Sequence, residues 1–207
     1  DNDEGRFVAT EIAEKKLQHQ LKNGDFAILY RTNAQSRSLE EGLRKLNIPY
    51  RVYGGQSFYQ RKEIKDALAY LRAVSNPEDD VSVRRILNTP RRGIGDKAEE
   101  AVEGFARREK ITFSAALNRL SEIHTLPTRS ATALAEFNRL LGNLRTLDES
   151  GAGPSAILEA AMEASGYLKE LTASKDPQDE VRVENIAELE NVTREYEEQF
   201  AEDNDSE

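Results

Sequence analysis

The chain has 207 residues, of which 38% are hydrophobic and 32% charged, and its formal net charge is −9. It contains no cysteine, which excludes disulfides and thiolate metal sites, and its two histidines lie far apart in the sequence, so we expect no metal site. No apolar run is long enough to span a membrane and the first residues are acidic, so the sequence predicts a soluble, cytoplasmic protein without a signal peptide.

The negative charge is unevenly distributed along the chain. Residues 1–76 carry 13 basic and 10 acidic side chains, residues 84–110 carry 8 and 5, and residues 111–207 carry 8 and 20. Attraction between a cation and a phosphate is local, because salt limits its reach to about 10 Å at 0.1 M. A basic surface on this acidic chain can therefore still bind nucleic acid.

The first 76 residues follow an α-β-α-β-α pattern. The hydrophobic spacing predicts helices at Phe7–Leu21, Ser36–Leu46 and Arg61 to about Val74, and short apolar strands at Phe26–Tyr30 and Tyr50–Tyr53. Two strands joined by a helix make a right-handed βαβ unit. Because two strands do not form a stable α/β sheet, the remaining strands have to come from elsewhere.

After Asn76-Pro77 the pattern is helical throughout. Proline and glycine connectors separate the predicted helices, which we place at residues 79–88, 96–109, 112–120, 128–148, 154–165, 166–173 and 178–200. The last 13 residues hold seven acidic side chains and no basic one, so we expect this tail to be frayed or disordered. The predicted fold class is therefore α/β followed by all-α, with domains at 1–76 and 77–207.

The first candidate site lies where the first predicted strand ends, at Tyr30 and Arg31. In α/β folds ligands bind at the carboxyl ends of strands, and an arginine there offers a phosphate a planar group that is always charged. Arg37 follows in the first turn of the next helix. Its position fits a structural role in capping that helix and a contact with a ligand equally well. The alternative for Arg31 is an exposed strand-end residue paired with Asp25 or Glu40.

A second candidate site follows the Gly54-Gly55 turn, in the sequence G-G-Q-S-F-Y-Q-R. Phe58, Tyr59 and Arg61 place two aromatic rings beside a cation, a combination that stacks on bases and holds phosphates. Alternatively, the two rings pack between strand and helix, which we prefer for at least one of them.

The third candidate site is I-L-N-T-P-R-R-G-I-G-D-K-A, residues 86–98, which resembles the hairpin of a helix-hairpin-helix. Two glycines allow the backbone to approach a phosphate, and the helix that follows begins with free N–H groups. The candidate DNA contacts are Thr89, Arg91, Arg92, Gly93, Ile94, Gly95 and Lys97, although Ile94 suits the space between the helices better than DNA. An ordinary helix–helix turn is the alternative.

In this order and at this spacing, the three segments resemble motifs IV and IVa and the T-P-x-R-G-I-G segment of the UvrD/PcrA/Rep helicases of superfamily 1. The resemblance implies that residues 1–76 are the first part of the second RecA-like domain (2A) and residues 77–207 most of the helical insertion domain (2B). It also implies that Arg31 is an arginine finger on the γ-phosphate of ATP, that Tyr30 stacks on the adenine, and that the hairpin contacts duplex DNA. An arginine finger contributes roughly 10³–10⁵ in rate.

The resemblance further implies a 3′-to-5′ DNA helicase of the repair or replication type, which uses ATP and Mg²⁺ to move along single strands. The chain has no G-x-x-x-x-G-K-[ST] and no Asp-Glu pair after a strand, so we expect it to hydrolyse no ATP by itself. Two alternatives stay open. One is a non-catalytic module that binds duplex DNA or docks repair or transcription proteins. The other is a stand-alone helix-hairpin-helix protein, which would have no use for the Tyr30-Arg31 motif.

Overall fold

The structure is a computed structural model that describes residues 2–204, with side chains described from residue 3 to residue 201. It divides into two compact units, residues 1–64 and 65–207. The described residues form α1 (Asn2–His19), α2 (Ser36–Lys45), α3 (Lys62–Ser75), α4 (Asp80–Ile86), α5 (Asp96–Glu109), α6 (Phe113–Leu117), α7 (Thr128–Glu149), α8 (Pro154–Ala164), α9 (Tyr167–Ala173) and α10 (Pro177–Asn204). Each corresponds to a helix predicted from the sequence, and the division between the units falls inside α3.

The first unit is built on a very close packing of α1 against α2. A Cβ added to Gly5 would lie 2.0 Å from the carbonyl oxygen of Ser38, and one added to Gly42 would lie 2.2 Å from the carbonyl oxygen of Gly5. The two backbones are therefore in contact where the helices cross. The small core beside this crossing consists of Ala9, Ile12, Leu43 and Ile48.

The buried face of α1 differs from the predicted one. We expected Leu17 and Leu21 to share a face with Ile12, but Leu17 is 83% exposed and Leu21 is also exposed. The face that packs on α2 instead contains Gly5 and Ala9, because only small residues allow the helices to approach this closely. The prediction is confirmed for Ile12, which is in the core, and for Val8, which packs against it, and it is wrong for Leu17 and Leu21, because small residues such as Gly5 and Ala9 carry little hydrophobic signal.

The prediction of two strands has to be corrected. No strand occurs in residues 2–204, although the backbone is extended at Phe26 and the side chains of Phe26, Ile28 and Tyr50 pack on the α1–α2 core. A strand exists only when a neighbour pairs with its N–H and C=O groups, and the segments 26–30 and 50–53 do not pair with each other. The apolar side chain of Leu29 is 93% exposed, so the described residues do not cover it.

The second unit is entirely helical in its described part. The helix α6 packs on α4, α5 and α7, while α8 packs on α7 and α9, and α10 packs on α8 and α9. Of the predicted core residues, Leu120 and Leu168 are only half-buried, and the others are buried: Leu117, Leu134, Phe137, Leu141, Leu144, Ile157, Leu158, Ile186 and Leu189. None of the helices in the described range combines the length and the apolarity that crossing a membrane requires.

The predicted frayed tail is helical as far as the structure describes it. The helix α10 continues to Asn204, and residues 205–207 lie outside the described residues. Within the predicted tail, Glu197 makes a tertiary contact. Its Oε1 accepts a hydrogen bond from the backbone N–H of Ser155 at 2.7 Å, and its Oε2 accepts one from Ser155 Oγ at 2.7 Å. An acidic residue of the tail thus caps the N-terminus of α8, a role that charge composition alone does not reveal.

Candidate functional site

Arg61, a predicted DNA contact, is buried in the first unit. Its Nη1 donates to the carbonyl oxygen of Asn33 at 2.7 Å, its Nη2 to Ser36 Oγ at 3.0 Å and its Nε to the carbonyl oxygen of Gln56 at 3.3 Å. Loss of water around the guanidinium lowers its pKa, although the nearby Glu63 acts in the opposite direction. Arg61 therefore joins the turn before α2 to the segment before α3, and this geometry does not support a contact with DNA.

The two aromatic residues and Arg37 are also packed against this unit. Phe58 is fully buried beneath the Arg61 guanidinium, and its ring meets that of Tyr59 edge to face at 5.1 Å. The Tyr59 hydroxyl donates to Glu41 Oε1 at 3.1 Å, and burial together with this carboxylate raises the pKa of Tyr59 to about 12. Arg37, only 2% exposed, donates to Glu41 Oε2 at 3.0 Å. Phe58 thus packs inside the first unit, which is the alternative that we preferred from the sequence for at least one of the two rings.

Glu40 organises this region, a role that the motifs in the sequence do not indicate. It is buried, and its carboxylate accepts hydrogen bonds from the backbone N–H of Phe58 at 3.1 Å, the Tyr50 hydroxyl at 2.9 Å and the Ser57 hydroxyl. One feature of the sequence could have indicated that Glu40 is buried. It lies three residues before Leu43, on the same face of α2, and Leu43 is buried.

Tyr30 and Arg31 differ from these buried groups because they are exposed. The backbone N–H groups of Arg31 and Thr32 donate to Gln35 Oε1 at 3.0 and 3.1 Å, so Gln35 fixes the backbone at this point. Within residues 3–201, the Arg31 guanidinium makes no hydrogen bond or ion pair, with Asp25 or any other acidic group. Tyr30 is 37% exposed beside it. An arginine held by its backbone but unpaired at its charged end is able to contact a phosphate.

The third candidate site contains the hairpin turn, residues 87–95, which connects α4 to α5. Arg92 points into the protein at this turn. Its Nη1 donates to the carbonyl oxygens of Ile86 at 2.7 Å and Leu87 at 3.0 Å, where α4 ends, and its Nη2 donates to the Tyr70 hydroxyl at 2.6 Å. The guanidinium also lies 5.0 Å from the centre of the Phe137 ring. This geometry assigns Arg92 to the support of the turn and does not favour the phosphate contact that we predicted.

Tyr70 completes this support and was missed by the sequence analysis. The residue is buried in α3, and its hydroxyl donates to the carbonyl oxygen of Thr89 at 2.7 Å while accepting from Arg92. Burial raises the pKa of this hydroxyl. One phenol thus holds two points of the hairpin turn, and nothing in the hydrophobic spacing of α3 distinguishes it from an ordinary core aromatic residue.

The outward side of the hairpin turn and the first turn of α5 carry the remaining candidates. Arg91, Gly93, Gly95 and Lys97 are exposed, whereas Ile94 is buried, as expected of a residue that packs between helices. In the part of the chain with described side chains, the charged groups of Arg91 and Lys97 take part in no hydrogen bond or ion pair. This side of the turn can attract phosphates through its charge, and phosphate contacts carry no sequence information.

No group of three or more histidine, aspartate or glutamate side chains in the described residues is placed to hold a metal ion. The candidate sites contain one exposed, unpaired arginine in the first unit, Arg31, and two exposed, unpaired cations in the second, Arg91 on the hairpin turn and Lys97 at the start of α5.

Comparison with known proteins identifies the family. The family model described as UvrD-like helicase C-terminal domain matches residues 1–207. The chain is similar to ATP-dependent DNA helicase UvrD1 of Mycobacterium tuberculosis, 46% identical over 198 residues, which are 95% of this chain and 25% of the relative. It is also similar to DNA helicase II of Haemophilus influenzae, 41% identical over 194 residues, and to ATP-dependent DNA helicase PcrA of Bacillus subtilis, 40% identical over 194 residues, in both cases 94% of this chain and 26% of the relative. The chain thus spans about a quarter of the length of these relatives, and it belongs to the UvrD-like helicase C-terminal domain family.

Proposed function

We propose that this chain is a central part of an ATP-dependent 3′-to-5′ DNA helicase of the repair or replication type. Residues 1–76 would be the first part of its second RecA-like domain and residues 77–207 most of its 2B insertion. The proposal is supported by the family match over the whole chain and by relatives of 40–46% identity that are named ATP-dependent DNA helicases. Unwinding would belong to the whole protein, of which this chain supplies an arginine finger and a surface for duplex DNA.

The observation that carries the proposal is the exposed, unpaired guanidinium of Arg31 next to Tyr30. The chain contains no phosphate loop, so ATP and Mg²⁺ would be held mainly by residues outside it. Mg²⁺ would neutralise charge on the phosphates there. Arg31 would add a positive charge where negative charge grows as the γ-phosphate is transferred, and Tyr30 would stack on the adenine.

The test of this role is Arg31→Ala in the intact helicase. We expect ATP hydrolysis on single-stranded DNA to fall by roughly 10³-fold or more, because an arginine finger acts on the transition state. Arg51→Ala is the control, since Arg51 is an exposed arginine of the same unit that makes no ion pair among the described residues. Normal hydrolysis by the Arg31→Ala protein would show that the finger assignment is wrong.

A second function is favoured by the exposed cations of the hairpin turn, namely binding of duplex DNA by the second unit without catalysis. Replacing both Arg91 and Lys97 with alanine in the 207-residue chain should weaken binding equally for different duplex sequences. It should also flatten the plot of log affinity against log salt by about two units, because each lost phosphate contact removes about one. An unchanged slope would contradict this function.

The matched control for that pair is Lys169→Ala with Lys175→Ala. Both lysines are exposed in the second unit and unpaired within the described residues, so their loss changes the net charge by the same amount. If the hairpin variant loses binding while Arg31→Ala leaves hydrolysis intact, the chain is a binding module and the motor assignment fails.

DNA, as single strand and as duplex junction, is thus the proposed partner, and residues 77–207 are the proposed surface for protein partners.

A further inference from the structure

We propose that Arg129, from α7, is a third cation of the duplex-binding surface at the hairpin turn. The inference rests on the proposed binding of duplex DNA and adds a residue that lies outside every motif identified in the sequence. Arg129 is far from the hairpin turn in the sequence, and only the fold brings it there.

The close approach is measured at Gly93, whose φ is +76°. A Cβ added to Gly93 would lie 3.9 Å from Arg129 Nη2, and no other atom beyond its chain neighbours lies within 4 Å of that point. The guanidinium of Arg129 therefore stands beside the backbone of the turn, on the side that the missing side chain leaves open. A phosphate that approaches Gly93 would meet this group as well.

The position of Arg129 within its helix gives a second argument. It is the second residue of α7, and the first turn of that helix contains no acidic residue and has no side-chain cap. A cation at this end opposes the helix dipole, so the residue does not favour the helix it belongs to. Arg129 is exposed and, in the described part of the chain, forms no ion pair or hydrogen bond that would compensate. The charge of Arg129 therefore stabilises neither α7 nor a contact with another described residue, and it is available to bind an anion from solution.

Together with Arg91 and Lys97, Arg129 would place three cations around a turn whose glycines let a phosphate come close to the backbone. Guanidinium groups and an ammonium group aimed at one surface suit the repeated phosphodiesters of a duplex. The ligand class is thus the sugar-phosphate backbone of double-stranded DNA, bound without preference for sequence.

The test compares Arg129→Ala with Arg139→Ala in the 207-residue chain, using a labelled duplex over a series of salt concentrations. Arg139 is an exposed, unpaired arginine of the same helix, according to the described contacts, and its loss changes the charge identically. We expect Arg129→Ala to weaken binding several-fold and to flatten the salt slope by about one unit, with no change for Arg139→Ala. Equal behaviour of the two variants would overturn the inference.

Two further measurements keep the result unambiguous. Thermal unfolding of Arg129→Ala should occur no lower than that of the unmodified chain, since the lost cation opposed the helix dipole, so weaker binding would not reflect unfolding. The variant lacking Arg91 and Lys97 separates the two proposals. If it keeps its salt slope, duplex binding at the hairpin turn is wrong as a whole, whereas a flattened slope there and an unchanged slope for Arg129→Ala would reject only the role of Arg129.

Discussion

Arg91 and Arg92 are neighbours in the sequence, yet their side chains have opposite environments. Arg91 is exposed, while Arg92 donates three hydrogen bonds to carbonyl oxygens of Ile86, Leu87 and Pro90 and one to Tyr70. The sequence marks both as basic residues of a turn and assigns both to DNA. Only the fold separates the residue that is free to meet a phosphate from the one that builds the turn.

Because the Tyr70 hydroxyl bonds both Thr89 and Arg92, the support of the turn can be tested with Tyr70→Phe, which removes the hydroxyl and leaves the ring. The Thr89 carbonyl and the Arg92 guanidinium would each lose a buried partner, at a cost of about 1–3 kcal/mol in the free energy of unfolding. Duplex affinity should fall because the turn is less well held. The salt slope should stay constant, because no phosphate contact disappears.

A titration of duplex binding at several salt concentrations checks this prediction, with Tyr167→Phe as control. The Tyr167 hydroxyl donates to Asp66 Oδ2 at 2.9 Å, so its removal also costs stability but leaves the hydrogen bonds of the hairpin turn intact. A flattened slope for Tyr70→Phe would mean that Tyr70 or Arg92 touches phosphate directly.

At the scale of elements, the crossing of α1 and α2 depends on glycine. In Gly42→Ala the new methyl group would lie 2.2 Å from the carbonyl oxygen of Gly5, and since that atom belongs to a helix backbone, the whole helix has to move. We expect a loss of at least about 2 kcal/mol in stability, toward the upper end of what overpacking costs. Gly142→Ala in α7, where no described atom beyond the chain neighbours and the helix's own backbone lies within 4 Å of the added Cβ, should instead gain about 0.5–1 kcal/mol.

Hydrogen exchange resolved by residue would check both changes. The loss in Gly42→Ala should appear as faster exchange within residues 1–64, and the gain in Gly142→Ala as slower exchange in α7. If Gly42→Ala leaves exchange in α1 and α2 unchanged, the close contact of the two backbones is not what holds the first unit together.

Helices and strands were not equally predictable from this sequence, for a physical reason. A helix satisfies its own backbone, so local spacing and end signals were enough to locate α5 at Asp96–Glu109 and α9 within a residue. The segment 26–30 has the composition of a buried strand, but a strand needs a partner that no local pattern supplies. The same limit applies to the sites, where the motifs gave the residue types while burial decided which of Arg61, Arg91 and Arg92 remain open.

At the scale of the whole molecule, the chain combines a locally basic hairpin turn with an acidic second half. Residues 84–110 carry a balance of +3, from 8 basic and 5 acidic side chains, while residues 111–207 carry 8 basic and 20 acidic ones. Contact with a phosphate and repulsion by distant carboxylates respond differently to salt. A contact releases counterions wherever it forms, whereas a long-range field is screened beyond about 30 Å at 0.01 M and about 10 Å at 0.1 M.

Neutralising part of α10 therefore separates the two effects. Glu180, Glu184 and Glu198 are exposed and unpaired within the described residues, so replacing all three with glutamine changes the net charge from −9 to −6 without removing a contact. If α10 acts only through its field, duplex affinity should rise a few-fold at about 0.01 M salt and by less than about twofold at 0.2 M, where screening is nearly complete. Binding isotherms at the two salt concentrations make the comparison. A gain of the same size at both would place these carboxylates within a few ångströms of the DNA and would make α10, together with the hairpin turn, part of the surface that faces the duplex.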